Sequence, residues 1–249
     1  MYQFFIEDEN AAEDFVTIEG SDVNHIKNVL RMKPGEKIRV CTRNGQNYFC
    51  SISDITESFV RADILEKEAE STELPCRIYL FQGLPKNDKM EWIIQKTVEL
   101  GVYEVIPVAM KNCVVKLDDK KAKSKVTRWQ AIAESAAKQS KRSLIPEVKM
   151  PMSYKEAVAY AKELDVKLVP YENEHGMAGT KAAMEQIKKG ESVAVFIGPE
   201  GGFAPEEIEM VRAEMQLISL GRRILRTETA GIAALAILGY QLESSDMIE

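Results

Sequence analysis

The chain is poor in the residues that build metal sites and covalent cross-links. Its four cysteines, Cys41, Cys50, Cys76 and Cys113, are scattered with no Cys-x-x-Cys, and its only histidines are His25 and His175. Metal-ligand spacing and a disulfide framework are both missing, so reduced structural thiols and no metal are expected. Long apolar runs are missing as well, since no segment reaches ~18 uninterrupted apolar residues. The first residues, Met1-Tyr2-Gln3-Phe4-Phe5-Ile6-Glu7, have neither a basic start nor a long apolar core. Neither export nor a membrane span is expected, and a cytoplasmic location is. No Gly-x-Gly-x-x-Gly follows a strand and no Gly-Lys-Ser/Thr closes a phosphate loop, so Rossmann dinucleotide and P-loop nucleotide binding lack their fingerprints.

What is present is enough apolar material for real cores, 45% of 249 residues,. It is organised around residues 193–239. Val193-Ala194-Val195-Phe196-Ile197 is an unbroken apolar run bounded by glycine, the pattern of a strand buried on both faces of a parallel sheet. It enters Gly198-Pro199-Glu200-Gly201-Gly202-Phe203, whose three glycines permit a sharp turn and let a ligand touch the main chain. Pro205, with Glu206 and Glu207, restarts a helix. A second unit repeats the logic: a short strand at 216–220, a loop from Gly221 to Ala230, and a helix of small and apolar residues over 229–241. Ligands of open α/β sheets bind beyond the carboxyl ends of strands, so the two loops are expected to form one pocket.

Before residue 70 the pattern is different. Asp22 can cap a helix over 23–32, strands are predicted at 37–42, 48–55 and 59–65, and Asn44-Gly45 supplies a hairpin turn, which together suggest a compact barrel. The polar stretch 66–75 reads as a linker. Strands at 77–84, 104–110 and 166–171 then alternate with helices at 88–100, 124–142, 153–164 and 179–188, predicting a mostly parallel sheet covered on both faces. The expected domains are 1–70 and 71–249.

Charge is distributed unevenly. The chain carries a net charge of -6, and residues 1–70 hold eight Lys/Arg against fourteen Asp/Glu. Residues 111–149 reverse this, with eleven Lys/Arg and four Asp/Glu. Lys121, Lys125, Arg128 and Arg142 there, with Arg222 and Arg223 near the ligand loops, could meet a phosphate backbone. In the acidic N-terminal part any such contact must be local, through Lys27, Arg31 and Arg43. Trp129 is the only aromatic residue of the basic stretch, which gives little support to a stacking platform for bare single strands.

Phe196-Ile197-Gly198-Pro199-Glu200-Gly201-Gly202-Phe203 followed by Leu220-Gly221-Arg222-Arg223-Ile224-Leu225-Arg226-Thr227-Glu228-Thr229-Ala230 resembles the cofactor-binding signature of the SPOUT methyltransferases. Within them it is most similar to the 16S ribosomal RNA uridine-N3 family, commonly called RsmE. His25-Ile26-Lys27-Asn28-Val29-Leu30-Arg31-Met32 is similar to that family's N-terminal segment. The resemblance implies an α/β methyltransferase domain with a trefoil knot behind a small PUA-like RNA-binding β-barrel. It also implies S-adenosylmethionine as cofactor, a homodimer paired through the knotted domain, and methylation of N3 of one uridine, uridine 1498, in 16S rRNA of the small ribosomal subunit.

Under that reading the cofactor is held by Ile197, Gly198, Pro199, Glu200, Gly201 and Gly202, by Leu220, Gly221, Leu225, Arg226, Thr227, Thr229 and Ala230, and by Tyr171 and Glu172 at a neighbouring strand end. Valine at Gly201 or Gly221 is expected to intrude where cofactor and backbone touch. Arg226 would stabilise charge on the uracil oxygens, and Glu200 or Glu228 would accept the proton or balance the sulfonium. Three other readings remain open at this point: an RNA-binding assembly factor with a vestigial pocket, a SPOUT methyltransferase acting on another RNA nucleotide, and a different small-molecule α/β enzyme.

Overall fold

The computed structural model describes residues 1–68, 71–174 and 176–244. The chain divides into two compact units, Met1–Glu73 with Ala137–Ile145, and Leu74–Ala136 with Pro146–Glu249.

The first unit is built on five strands, β1 (Tyr2–Ile6), β2 (Phe15–Glu19), β3 (Lys37–Thr42), β4 (Asn47–Ile55) and β5 (Phe59–Glu68). Their order is β1-β3-β4-β5-β2; β1 and β3 run parallel, and the remaining pairs are antiparallel. The two end strands, β1 and β2, also touch each other, so the sheet curls on itself. Inward positions recur at every second residue, as half-buried strands require. Phe4 and Ile6, Val16 and Ile18, Ile38 and Val40, and Cys50 and Ile52 fill its centre.

The helix expected over 23–32 is broken. A short α1 (Ser21–Asn24) passes into a π-helical turn, His25–Val29, and Arg31 takes a left-handed φ of 54°. Asp22 is not its cap. Gly20 holds that position, and both Asp22 carboxylate oxygens lie 3.0 Å from Lys138 Nζ. The predicted linker is also shorter than expected, because β5 continues to Glu68; Ala69 and Glu70 of that stretch lie outside the described residues.

The segment Ala137–Ile145 completes this unit through buried polar contacts. Arg39 Nη1 donates to the Lys141 carbonyl at 2.8 Å, Gln3 Nε2 to the Arg142 carbonyl at 2.6 Å, and Asn47 Nδ2 to Ser143 Oγ at 2.8 Å. Cys41 donates to Asn47 Oδ1, and burial pushes its thiol up to about 12, which keeps it neutral and unreactive,. Arg142, expected to bind RNA, is only 3% exposed and is gripped by Glu73 through Nε and Nη2. It is unavailable to a phosphate. A charge count along the sequence cannot see that a carboxylate far away in the chain takes up the guanidinium.

The second unit carries the parallel sheet, in the order β12-β10-β11-β6-β7-β8 with β9 also pairing β7. Its strands are β6 (Arg77–Gly83), β7 (Val102–Ala109), β8 (Glu147–Val148), β9 (Met152–Ser153), β10 (Val166–Pro170), β11 (Ser192–Ile197) and β12 (Gln216–Ile218). Helices α2 (Lys89–Glu99), α3 (Asp119–Ser140), α4 (Tyr154–Ala161), α5 (Ala178–Glu185), α6 (Pro205–Val211) and α7 (Thr227–Ser244) intervene.

Every residue of β11 is buried, as its unbroken apolar run requires. Tyr79, Phe81 and Phe196 face α4 and α6, with Phe81 and Phe196 stacked at 4.3 Å. Leu80 and Ile197 point to the other face, where Gly231 of α7 lets that helix approach closely. After β12, at one edge, the chain passes beyond β10 to start α7, which packs on β11, β6 and α2. This order of passage is compatible with the knot that the resemblance implies. Among the described residues no helix is long and apolar enough to cross a membrane, and no cluster of three His, Cys, Asp or Glu side chains could hold a metal.

Glu73 bonds both the Arg142 guanidinium and the Ser143 N–H, so Glu73→Ala removes several buried charge-assisted hydrogen bonds at once,. It is expected to destabilise the first unit by about 1–3 kcal/mol; an unchanged urea midpoint would show that these bonds contribute nothing to stability.

Candidate functional site

A cavity of about 570 Å³ opens beyond the carboxyl ends of β10, β11 and β12. Three loops line it, all from the second unit. The loop after β10 supplies Tyr171 and Glu172, and the loop after β11 supplies Ile197, Gly198, Pro199, Glu200 and Gly202. The loop after β12 supplies Leu220, Gly221, Arg222, Arg223 and Leu225, and Arg226, Thr227 and Ala230 close the wall where α7 begins. The sequence thus brings together most of the residues singled out for one ligand.

Two do not reach it. Thr229 is exposed on the first turn of α7, outside the cavity wall. Gly201 is also outside: a Cβ there would meet Asn112 Cβ at 3.0 Å, and Asn112 Nδ2 donates to the carbonyls of Gly201 and Gly202 at 3.0 and 3.2 Å. The glycine at 201 makes room for a side chain that pins the loop. Gly221 does line the cavity, at φ 112° with nothing within 4 Å of its Cβ position, so the loop there depends on a conformation that other residues avoid,.

The loops are fixed by residues that sequence reasoning missed. Gln82, fully buried at the end of β6, donates through Nε2 to Thr227 Oγ1 at 2.9 Å, and Thr227 Oγ1 donates to the Gly198 carbonyl at 2.6 Å. One chain of hydrogen bonds therefore joins three elements. Gly83 follows, and a Cβ there would stand 2.7 Å from Pro199 N, so β6 can approach the Gly198-Pro199 turn only because position 83 has no side chain. Thr180 Oγ1 donates to the Ser219 carbonyl and anchors the start of the third loop. Glu207 accepts from the N–H of Ala204 and of Lys111, holding the start of α6.

The charged side chains fall into two sets. Lys89, also missed, sits 3.0 Å from Glu200 Oε1 and 3.2 Å from Glu228 Oε2, and Lys86 N–H donates to Glu200 Oε1. Burial alone would raise the Glu200 carboxyl, but the hydrogen bonds from Lys89 and the Lys86 N–H outweigh it and hold the group below the usual carboxylate range. Among the described residues, by contrast, Arg222, Arg223 and Arg226 have no ion pair.

The basic segment 111–149 is less positive in space than along the chain. Lys111 pairs with Glu206, Lys121 with Asp118, Lys125 with Asp88 at 3.7 Å and Arg128 with Glu91 at 2.7 Å. In the first unit Lys27 pairs with Glu57 and Arg43 with Glu7. Such exposed pairs are worth only ~0–1 kcal/mol and can be exchanged for phosphates. Even so, the unpaired arginines stand at the cavity.

Sequence comparison shows which kind of protein carries this arrangement. Residues 72–239 match the family described as RNA methyltransferase domain, and residues 18–65 match the RNA methyltransferase PUA domain. The cavity and its parallel sheet thus belong to an RNA methyltransferase. The chain is 39% identical over 98% of its length to ribosomal RNA small subunit methyltransferase E of Bacillus subtilis (strain 168), of which 98% is covered. It is 36% identical over 93% of its length to the protein of that name from Mesomycoplasma hyopneumoniae (strain 232), of which 96% is covered. A crystal structure of ribosomal RNA small subunit methyltransferase E from Neisseria gonorrhoeae, bound to S-adenosyl methionine, matches with a TM-score of 0.83 at 32% identity, covering 96% of each chain. The chain belongs to the ribosomal RNA small subunit methyltransferase E family.

The cavity fits such a cofactor. Its volume lies within the ~300–1,000 Å³ of small-ligand sites. Ile197, Leu220, Leu225 and Ala230 give it apolar walls, exposed main chain surrounds Gly198 and Gly221, and Glu172 provides a carboxylate. Gly221→Val is expected to weaken S-adenosylmethionine binding at least tenfold, about 1.4 kcal/mol. Gly201→Val should disturb Asn112 and stability instead, with affinity changed less. Calorimetric titration of both folded variants separates the two; equal losses would put position 201 back against the ligand.

Proposed function

We propose that the protein transfers a methyl group from S-adenosylmethionine to N3 of one uridine in 16S rRNA, uridine 1498 by the family resemblance. The observation that carries this reading is a cofactor-sized cavity whose rim holds three arginines free of ion pairs, beside a lysine-linked pair of carboxylates. The cofactor supplies an electrophilic methyl group, and the protein supplies position and field. Main-chain groups of the loops after β11 and β12 would hold the adenosine and methionine parts.

N3 of uridine carries a proton and is hidden inside a base pair, so the base must be exposed or swung out to enter the cavity. Arg226 would bond the uracil oxygens as negative charge develops, a role open to a guanidinium that has no ion pair among the described residues,. Arg222 and Arg223 would take flanking phosphates. Lys27, Arg31 and Arg43 of the first unit, and Lys121, Lys125 and Arg128 after exchanging their present partners, would give further phosphate contacts. The grip is therefore on a shaped RNA surface, within the small ribosomal subunit. The protein works in the cytoplasm as a homodimer, for which α7, with Tyr240 74% exposed, offers an apolar face,. Sedimentation as a monomer at micromolar concentration would remove the dimer from this account.

Methyl incorporation should be measured into assembled small subunits, naked 16S RNA and a short uridine-containing oligonucleotide, followed by nucleoside digestion. The expected product is 3-methyluridine, with the subunit the best substrate; equal use of the oligonucleotide would contradict shaped-surface recognition. Arg226→Ala should lower the single-turnover rate about 100-fold with little change in RNA affinity. Arg222→Ala and Arg223→Ala should each reduce the salt slope of RNA binding by about one.

A further inference from the structure

We propose that Lys89 is a positioning residue for proton removal: it clamps Glu200 and Glu228 together at the cavity wall and holds Glu200 by one carboxylate oxygen, leaving the other outside that grip to take the N3 proton. This inference rests on the uridine-N3 reading and gives its proton a destination. When the N3 lone pair forms the new carbon–nitrogen bond, the carbon–sulfur bond breaks with its electrons left on sulfur, and the N3 proton must leave to a base. Glu200 is the carboxylate of this group that lines the cavity; Glu228 stands behind it, out of the wall.

The geometry distinguishes the two oxygens of Glu200. Lys89 Nζ and the Lys86 N–H both bond Oε1, at 3.0 Å each. Oε2 carries neither bond, so the proton can be taken there while Oε1 is held. Lys89 reaches this point from the first residue of α2, and Glu228 from the first turn of α7, so one ammonium ties the starts of two helices to the loop after β11. A lysine is suited to this because its point charge serves two acceptors without demanding one plane.

Other charges near the clamp are engaged or distant from its function. Asp88 and Glu91 of α2 are paired to Lys125 and Arg128, and Glu207 is taken by the N–H groups of Ala204 and Lys111. Burial pushes the Cys113 thiol up and keeps it neutral. Arg226 and Glu172 line the same cavity, Arg226 with no ion pair among the described residues. The ammonium of Lys89 is therefore the cation that acts directly on Glu200, and the hydrogen bond to Glu200 in turn raises the Lys89 ammonium.

Because Lys89 favours the charged form, Glu200 loses its proton-accepting state only when pH falls below the usual carboxylate range. Without the lysine that loss begins at higher pH. The experiment compares wild type, Lys89→Met and Lys89→Arg by two readouts: carboxyl carbon NMR titration of Glu200, assigned with Glu200→Gln, and the pH profile of single-turnover methylation of small subunits. Lys89→Met should raise the Glu200 midpoint by about one pH unit and carry the acidic limb of the rate profile with it, and Lys89→Arg should restore both. An unmoved midpoint in folded Lys89→Met overturns the inference. So does a moved midpoint with an unmoved acidic limb, which would make Lys89 only a tie between helices. Failure of wild type to form 3-methyluridine would instead defeat the uridine reading, and the titration would still decide whether Lys89 controls Glu200.

Discussion

The cavity depends on the hydrogen-bonded line from Gln82 through Thr227 to the Gly198 carbonyl. Three chain segments distant in sequence meet there: the end of β6, the turn after β11 and the start of α7. Each is well anchored in its own element, but a cavity needs their relative positions fixed to within a fraction of an ångström. Buried hydrogen bonds supply that constraint, because breaking one strands a polar group away from water at a cost of ~1–3 kcal/mol. Gly83 adds a steric condition to the electrostatic one. With no side chain, β6 can press against Pro199, and the turn is held from below as well as from the side.

From this anchor the division of roles follows. Thr227 is occupied with the loop scaffold, which leaves the main chain around Gly198 and Leu220 to face a ligand. The arginines after β12 stand on the rim, and the carboxylates Glu200 and Glu228 share the single ammonium of Lys89. Among the described residues no ion pair joins these arginines to those carboxylates. If Arg226 fell within reach of Glu200 they would pair with each other, and neither would be available to a substrate.

Much of the fold could be read from residue pattern because it is local. The run Val193 to Ile197 specifies a doubly buried strand, the alternation over 37–42 and 48–55 specifies half-buried ones, and Pro205 and Gly101 mark a helix start and a helix end. The strands β1 and β2 were not placed individually, since their five-residue alternation is short and lies among turn residues. Helix limits shifted: α7 begins at Thr227, whose hydroxyl bonds Gln82 of β6, and the segment after Asp22 winds into a π-turn while Asp22 pairs with Lys138. In the site, the two glycine loops were legible because their residues are contiguous. Gln82, Gly83, Lys89 and Asn112 were not, since each acts on the cavity from a different strand or helix and carries no neighbouring motif. Arg142 was misread for the same reason, its partner Glu73 being distant in the chain, and Asn112 at Gly201 is equally remote.

The segment Ala137–Ile145 has a consequence for synthesis. The strands of the first unit are made before the segment Ala137–Ile145, yet their buried hydrogen bonds from Gln3, Arg39 and Asn47 end on Lys141, Arg142 and Ser143. Until those residues emerge, Gln3 Nε2 and Asn47 Nδ2 lack these acceptors, Arg39 has only Glu68 and Gln3, and the Cys41 thiol has only Asn47. At ~5–20 residues per second the nascent barrel waits for several seconds with its polar seam open, while the first strands of the second unit are being made. The strands of the first unit are therefore translated well before the segment that completes them. A fragment that stops at its apparent boundary carries a seam that its own sequence cannot close.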